Sequence, residues 1–219
     1  MIEIARRILL HRRAPIRREV VPADAHWEWR IFRDTVPLPG RAVVEPVEPV
    51  VEETYFLSAR SSFSVKIRAD HLEIRRLERV DIHGFEQWRM IHDFSFPLSP
   101  AGVATVCVNL GVPGPELTQP VDAAALRDIM MALAPTVVVV PVLKVRTPFQ
   151  FGGCRGEHVS LTIGAVRREM LALEGNDPVR LRTAVESLGY AKLANVNYPR
   201  GLKLACGIPR LPDRQPVIV

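Results

Sequence analysis

Several segments of this chain alternate charged with apolar residues at a spacing of two. They read His26-Trp-Glu28-Trp-Arg30-Ile-Phe32, Phe63-Ser-Val-Lys66-Ile-Arg68, Leu72-Glu73-Ile-Arg75-Arg76 and Val137-Val-Val-Val-Pro-Val-Leu-Lys144-Val-Arg146. Side chains at i and i+2 of a strand point to the same face. Each segment therefore sends its charges to one face and its aliphatic or aromatic groups to the other. An antiparallel sheet can leave such a charged face in water. If the sheet curls into a barrel instead, the charges line the interior and form a cationic pocket for a polyanion such as a phosphate chain. The pattern alone leaves both arrangements open.

The order of elements narrows the fold class. Alternation and β-branched content predict strands over 25–33, 52–58, 62–69, 72–80, 86–98, 136–147, 157–164 and 167–175. Two helices are expected. One is capped by Asp122, runs through Ala123 to Leu133 and stops at Pro135. The other has Asp177 as cap, Pro178 at its first position and Gly189 just past its end. Many strands, few helices and no strict alternation between them argue for an antiparallel α+β protein rather than a doubly wound one.

Around these elements, a basic arm is expected over 1–22, where Arg6, Arg7, Arg12, Arg13, Arg17 and Arg18 concentrate, and a tail over 209–219. The stretch 41–52 alternates valine with proline and glutamate, which suits an extended connector or a sheet edge. The main domain then covers 23–208. No apolar run approaches the roughly 18–20 residues of a membrane helix, so no membrane partner is expected. Cys107, Cys154 and Cys206 are odd in number and widely spaced, resembling neither a zinc site nor a disulfide framework. That pattern suits a reduced, cytoplasmic setting. A net charge of +5 favours anionic partners. Nucleic acid is the weaker choice, because the cations are paired within strands rather than spread over a surface with exposed aromatics.

The ordered series of motifs resembles the CYTH superfamily of triphosphate tunnel enzymes, which includes thiamine-triphosphatase-like, inorganic triphosphatase and class IV adenylate-cyclase-like members. The opening Glu-x-Glu-x-Lys strand of that family is matched by His26-x-Glu28-x-Arg30, and its Asp-Thr-Tyr-Phe segment by Glu53-Thr-Tyr-Phe56. Its paired basic positions resemble Lys66-x-Arg68, Arg75-Arg76 and Lys144-x-Arg146. Its closing helix and tyrosine-containing tail are similar to Glu186-Ser-Leu-Gly-Tyr190 and Asn197-Tyr198. The likeness spans about residue 25 to 203.

The resemblance implies an eight-stranded antiparallel β-barrel, or tunnel, with flanking helices. It implies that Arg30, Lys66, Arg68, Arg75, Lys144, Arg146 and Lys203 grip a triphosphate or polyphosphate-bearing ligand. It also implies that Glu28 and Glu174, with His26 as a nitrogen donor, hold Mg²⁺ or Mn²⁺. Departures fall on the acidic side: His26 and Ala172 stand where the family has glutamates, and Gly164 where an aspartate is expected. Two functions follow from this. One is a divalent-metal-dependent phosphohydrolase; the other is a non-catalytic module that binds a phosphorylated ligand and has lost its metal site. No catalytic residue is singled out.

Outside that set, Glu73 reads as a ligand or a salt-bridge partner, and Glu157 and His158 as strand-end groups near the tunnel mouth. Arg167, Arg168 and Glu169 read as a turn. Arg200 is a further cation near the pocket or a cap on the preceding structure. Trp27, Trp29 and Trp88 read as packing groups.

Overall fold

The structure, a computed structural model, describes residues 26–209 and 217–218. The basic arm expected over 1–22, and the tail beyond its first residue and strand Val217–Ile218, lie outside the described residues. The first strands are β1 (Trp27–Arg33), β2 (Val43–Val44), β3 (Val51–Ser58), β4 (Ser64–Arg68), β5 (His71–Val80) and β6 (Glu86–Ser95). Helices α1 (Pro100–Leu110) and α2 (Ala123–Ala132) lead into strands β7 (Val137–Phe151), β8 (Cys154–Ile163) and β9 (Val166–Gly175). Helices α3 (Pro178–Ser187) and α4 (Tyr198–Ala205) and the short strand β10 (Val217–Ile218) follow.

Eight strands form an antiparallel ring in the order β5-β4-β3-β7-β8-β9-β1-β6, and the β5–β6 pairing closes it. The α+β class and the ring of eight strands match the sequence expectation. The stretch 41–52 is an edge segment: Val43 and Val44 pair with Gln150 and Phe149, and the Glu45 and Glu48 amides donate to the Pro148 and Arg146 carbonyls. The seam between β1 and β6 is short, holding only the pairs Trp27–Gln87 and Glu28–Glu86. Beyond it the chain supplies other partners for the β1 edge. The Arg30 amide donates to Asn195 Oδ1 at 2.7 Å, and its carbonyl accepts from the Val196 amide at 2.7 Å. An open edge is thereby covered by the loop that leads into α4.

Both outer faces of the ring are dry. Helices α1 and α2 bring Val103, Val106, Leu110, Leu126 and Met130 against Phe56, Val65, Ile67, Leu72 and Ile74. Helix α3 brings Leu181, Ala184 and Val185 against Trp29, Ile31, Leu171 and Leu173. Within the ring, Tyr55, Leu57, Val140, Val142, Val159, Leu161 and Met170 pack with Leu202 of α4. The interior is thus apolar at the end that α4 fills, which leaves the other end for the charges.

Four elements differ from expectation. Helix α1 carries the same punctuation as α3, with Ser99 as cap, Pro100 in the first turn and Gly111 at φ +70° past its end. Its β-branched Val103, Val106 and Val108 obscured the helical period. Helix α4 hides in a Pro- and Gly-containing stretch that reads as loop; Asn197 caps it by accepting from the Arg200 amide at 3.0 Å. Strand β8 begins at Cys154, three residues earlier than expected, and is fully paired with β7 and β9. Residues Arg167, Arg168 and Glu169 lie in β9 rather than in a turn, because the β8–β9 hairpin reverses at Gly164, whose φ is +58°. Glu169 there accepts from the Val36 amide at 2.6 Å.

Leu202 has no solvent exposure and joins α4 to the ring interior. Leu202→Ala should therefore cost about 2–5 kcal/mol of stability, the range for a buried leucine that leaves a cavity. Urea unfolding measures this, and a loss under about 1 kcal/mol would show that α4 is not a structural plug.

Candidate functional site

Register places the charged i and i+2 residues on the inner face. Glu53 stands opposite Arg68, Tyr55 opposite Lys66, Lys66 opposite Glu73, and Ser64 opposite Arg75. Across the ring Glu28 faces Glu174, Arg30 faces Ala172, Arg155 faces Glu174 and Glu157 faces Ala172. Apart from Glu53 and Glu73, these residues border a cavity of about 370 Å³. Its basic lining is Arg30, Lys66, Arg68, Arg75, Lys144, Arg146 and Arg155, and its carboxylates are Glu28, Glu48, Glu157 and Glu174. The excess is basic. Glu53 and Glu73, in contact with these cations, reduce it.

Glu53 is the centre of the basic wall. Its side chain is 0% exposed. Oε2 takes Lys144 Nζ at 2.5 Å and the Tyr55 hydroxyl at 2.8 Å. Oε1 takes Lys66 Nζ at 3.2 Å and an Arg146 guanidinium nitrogen at 3.0 Å, with Arg68 Nε at 3.6 Å. Burial alone would raise the Glu53 carboxyl, but the Lys144 and Lys66 ammoniums outweigh it and hold the group well below the usual carboxylate range. Lys66 also pairs with Glu73 at 3.3 Å. A buried charge is tolerated only when it is paired and hydrogen-bonded in this way.

Lys144 is the most enclosed of the cations, 1% exposed. Besides Glu53 it donates to the Tyr55 hydroxyl at 2.8 Å and lies 3.9 Å from the centroid of the Tyr198 ring. Arg30 covers the same ring at 4.7 Å. Tyr198 is thus flanked by two cations and stacked on Tyr55 at 5.9 Å. Its hydroxyl is buried and has no hydrogen-bond partner among the described residues. The same holds for the Nε–H groups of Arg30, Arg75 and Arg146, all of which border the cavity.

The acidic wall is sparser. Glu28 pairs with Arg30 at 3.2 Å, and Glu157 lies 3.9 Å from Arg30 and 3.7 Å from Arg146. Glu174 lies 3.8 Å from Arg155. Burial, together with Glu28 and Glu157, raises the Glu174 carboxyl. Each of these carboxylates already has a guanidinium partner. Among the described residues no three His, Cys, Asp or Glu side chains converge as a metal site. Glu28 and Glu174 are too few for a closed protein cage, and a divalent ion held there would need water and substrate oxygens as well.

Placement of the predicted site residues is uneven. Arg30, Lys66, Arg68, Arg75, Lys144 and Arg146 meet at the cavity, and Glu28 and Glu174 meet across the β1–β9 ladder. Lys203 is not among the lining residues; its ammonium donates to the Ser61 carbonyl, fastening α4 to the β3–β4 loop. His26 is exposed, bonded to Asn176 Oδ1 at 2.7 Å, and is not among the lining residues. Arg200 directs its guanidinium to the Asn195 carbonyl. His158 faces outward to the Val36 carbonyl at 2.8 Å, whereas its neighbour Glu157 lines the cavity.

Glu53, Tyr55, Tyr198 and Arg155 are site residues that the sequence reading did not assign, and Trp88, read as packing, borders the cavity with its Nε1–H on Glu86 at 3.0 Å. The available signals for Glu53 were its place in the Glu53-Thr-Tyr-Phe56 motif and its i+2 relation to Tyr55; the second is weak. It is masked because β3 is buried on both faces over most of its length.

No family model matches the chain, and no curated protein matches it by sequence. Solved structures do match. One is a proposed adenylyl cyclase from Hippeastrum with a dominant triphosphatase activity, at 13% identity over 85% of this chain and 97% of that one, with a TM-score of 0.45. A proposed adenylate cyclase from Bacillus halodurans matches at 12% identity over 68% of this chain and 78% of that one, TM-score 0.36. A conserved hypothetical protein from Pyrococcus furiosus matches at 13% identity over 79% of this chain and 96% of that one, TM-score 0.41. At such identities these likenesses bring no residue role or activity to this chain.

Burial, with Lys66 and Arg146 adding to it, lowers the Lys144 ammonium to about 7 although Glu53 pulls the other way. The unfolded chain keeps that proton up to about pH 10.4. Between the two values the unfolded state binds more protons, so stability should rise with pH across that window. Urea unfolding at stepped pH should show this rise in the wild type and its loss in Lys144→Met. Parallel slopes in the two proteins would assign Lys144 an ordinary lysine value.

Proposed function

We propose that the ring binds a triphosphate or another polyphosphate-bearing small molecule in its cationic cavity, as a member of the CYTH-like tunnel group. The observation that carries this reading is the convergence of Lys66, Arg68, Arg75 and Arg146, from strands β4, β5 and β7, on one wall of a cavity inside the ring. Guanidinium groups present several N–H donors in a plane and suit phosphate oxygens, while lysines add compact charge. The Nε–H groups of Arg30, Arg75 and Arg146 make no hydrogen bond among the described residues, although Arg75 and Arg146 Nε lie 4.0 and 3.7 Å from Glu73 and Glu157. Among the described residues no helix is long and apolar enough to cross a membrane. The odd number and wide spacing of Cys107, Cys154 and Cys206 support a reduced, cytoplasmic setting.

Hydrolysis of the bound ligand with Mg²⁺ or Mn²⁺ is the second reading. It is favoured by the register of Glu28 against Glu174 on adjacent strands. The guanidinium partners of these carboxylates favour the first reading, a binding module without a metal site of its own.

A thermal-shift series with tripolyphosphate, ATP and pyrophosphate, with and without each metal, separates the two readings, because a ligand of the folded state raises its melting temperature. Stabilisation by the anion alone supports the binding module. Stabilisation that requires metal, with phosphate release that Glu28→Gln abolishes, supports the hydrolase. No shift with any of the anions rejects both. Within the first reading, Lys66→Ala, Arg68→Ala and Arg146→Ala should each weaken tripolyphosphate binding by about 1–3 kcal/mol, the scale of a lost charge-assisted contact. Calorimetric titration measures the loss, and wild-type affinity in all three would sink the assignment.

A further inference from the structure

We infer that Glu53 is an affinity- and specificity-determining residue: a built-in counter-ion that competes with the bound anion for the same cations. The inference rests on the reading of the cavity as a polyphosphate site. Both Glu53 oxygens are committed, Oε1 to Lys66, Arg146 and Arg68 at 3.2, 3.0 and 3.6 Å, and Oε2 to Lys144 and Tyr55 at 2.5 and 2.8 Å. Lys66, Arg68 and Arg146 are also among the cations that border the cavity. A phosphate oxygen that approaches them takes donors already shared with a carboxylate.

Position strengthens the competition. Glu53 has no solvent exposure, so water does not screen its charge from an anion in the cavity. Its ionised form is also favoured by the neighbouring ammoniums, which keeps the charge in place across the neutral range. Lys144 borders the cavity as well, but it is only 1% exposed and its ammonium is held by Glu53 and the Tyr55 hydroxyl, so it offers a ligand less than the other three cations do. A small anion gains little under these conditions. A polyphosphate carries enough charge to hold the presented cations in spite of Glu53.

The test is calorimetric titration of tripolyphosphate and orthophosphate, at one ionic strength, into wild type, Glu53→Gln and Glu53→Gln/Lys144→Met. Glu53→Gln keeps the shape, removes the charge and should bind tripolyphosphate about tenfold more tightly or better, with orthophosphate binding becoming measurable. Because Glu53→Gln alone leaves the enclosed Lys144 without its ion partner and can unfold, the double variant removes the buried pair together, which is far less costly. It should also bind more tightly than wild type, although it has one lysine fewer.

Tighter binding by a folded variant supports the inference, including the case in which wild type binds too weakly to detect. Equal or weaker binding by the double variant, with wild type binding normally, overturns the role of Glu53 and leaves the polyphosphate reading intact. No binding by any of the three proteins overturns both.

Discussion

Inside the ring, Glu53 lies without solvent exposure within salt-bridge distance of Lys66, Arg68, Lys144 and Arg146. Desolvating that many charges is costly, and the arrangement persists only because the pairs are close and satisfied. The cluster draws on β3, β4 and β7, so the ion pairs tie together strands distant in sequence as well as neighbours in the sheet. Removing one partner leaves the others uncompensated in a low-dielectric interior. The site and the stability of this half of the ring are therefore one electrostatic problem.

Packing explains why the charges are inside at all. Helices α1 and α2 cover one outer face of the ring and α3 covers another, which makes the outward residues of most strands apolar. Helix α4 and its leucine fill one end of the interior. The remaining inward positions surround a cavity that opens to water, and charged side chains belong there. Tyr198, at the start of α4, joins the two halves: it packs against Phe32 and Tyr55 while its ring meets Lys144 and Arg30.

Much of this was legible in the chain. Strand alternation placed Glu28, Arg30, Lys66, Arg68, Arg75, Lys144 and Arg146 on one face, and closure of the ring turned that face inward. The caps at Asp122 and Asp177 marked α2 and α3. Valine-rich α1 escaped because β-branched residues imitate a strand, and α4 because eight residues that include proline and glycine imitate a loop. Lys203 and His26 were assigned from the family resemblance, which does not fix direction: one side chain donates to a backbone carbonyl, and the other is bonded to a surface amide.

The two-residue period by itself determined that charges would share a face, because consecutive strand side chains must alternate whatever the neighbours are. Composition determined the sign of that face. Only the tertiary structure decided that this face would be enclosed, because closure depends on β5 pairing with β6 and β1 pairing with both β9 and β6. It also decided that the basic wall would carry its own anion. Glu53 lies in a strand buried on both sides, where alternation leaves no trace in polarity, and its cationic partners come from positions 13 to 93 residues away. Such an encounter is set by strand register, which no local pattern encodes.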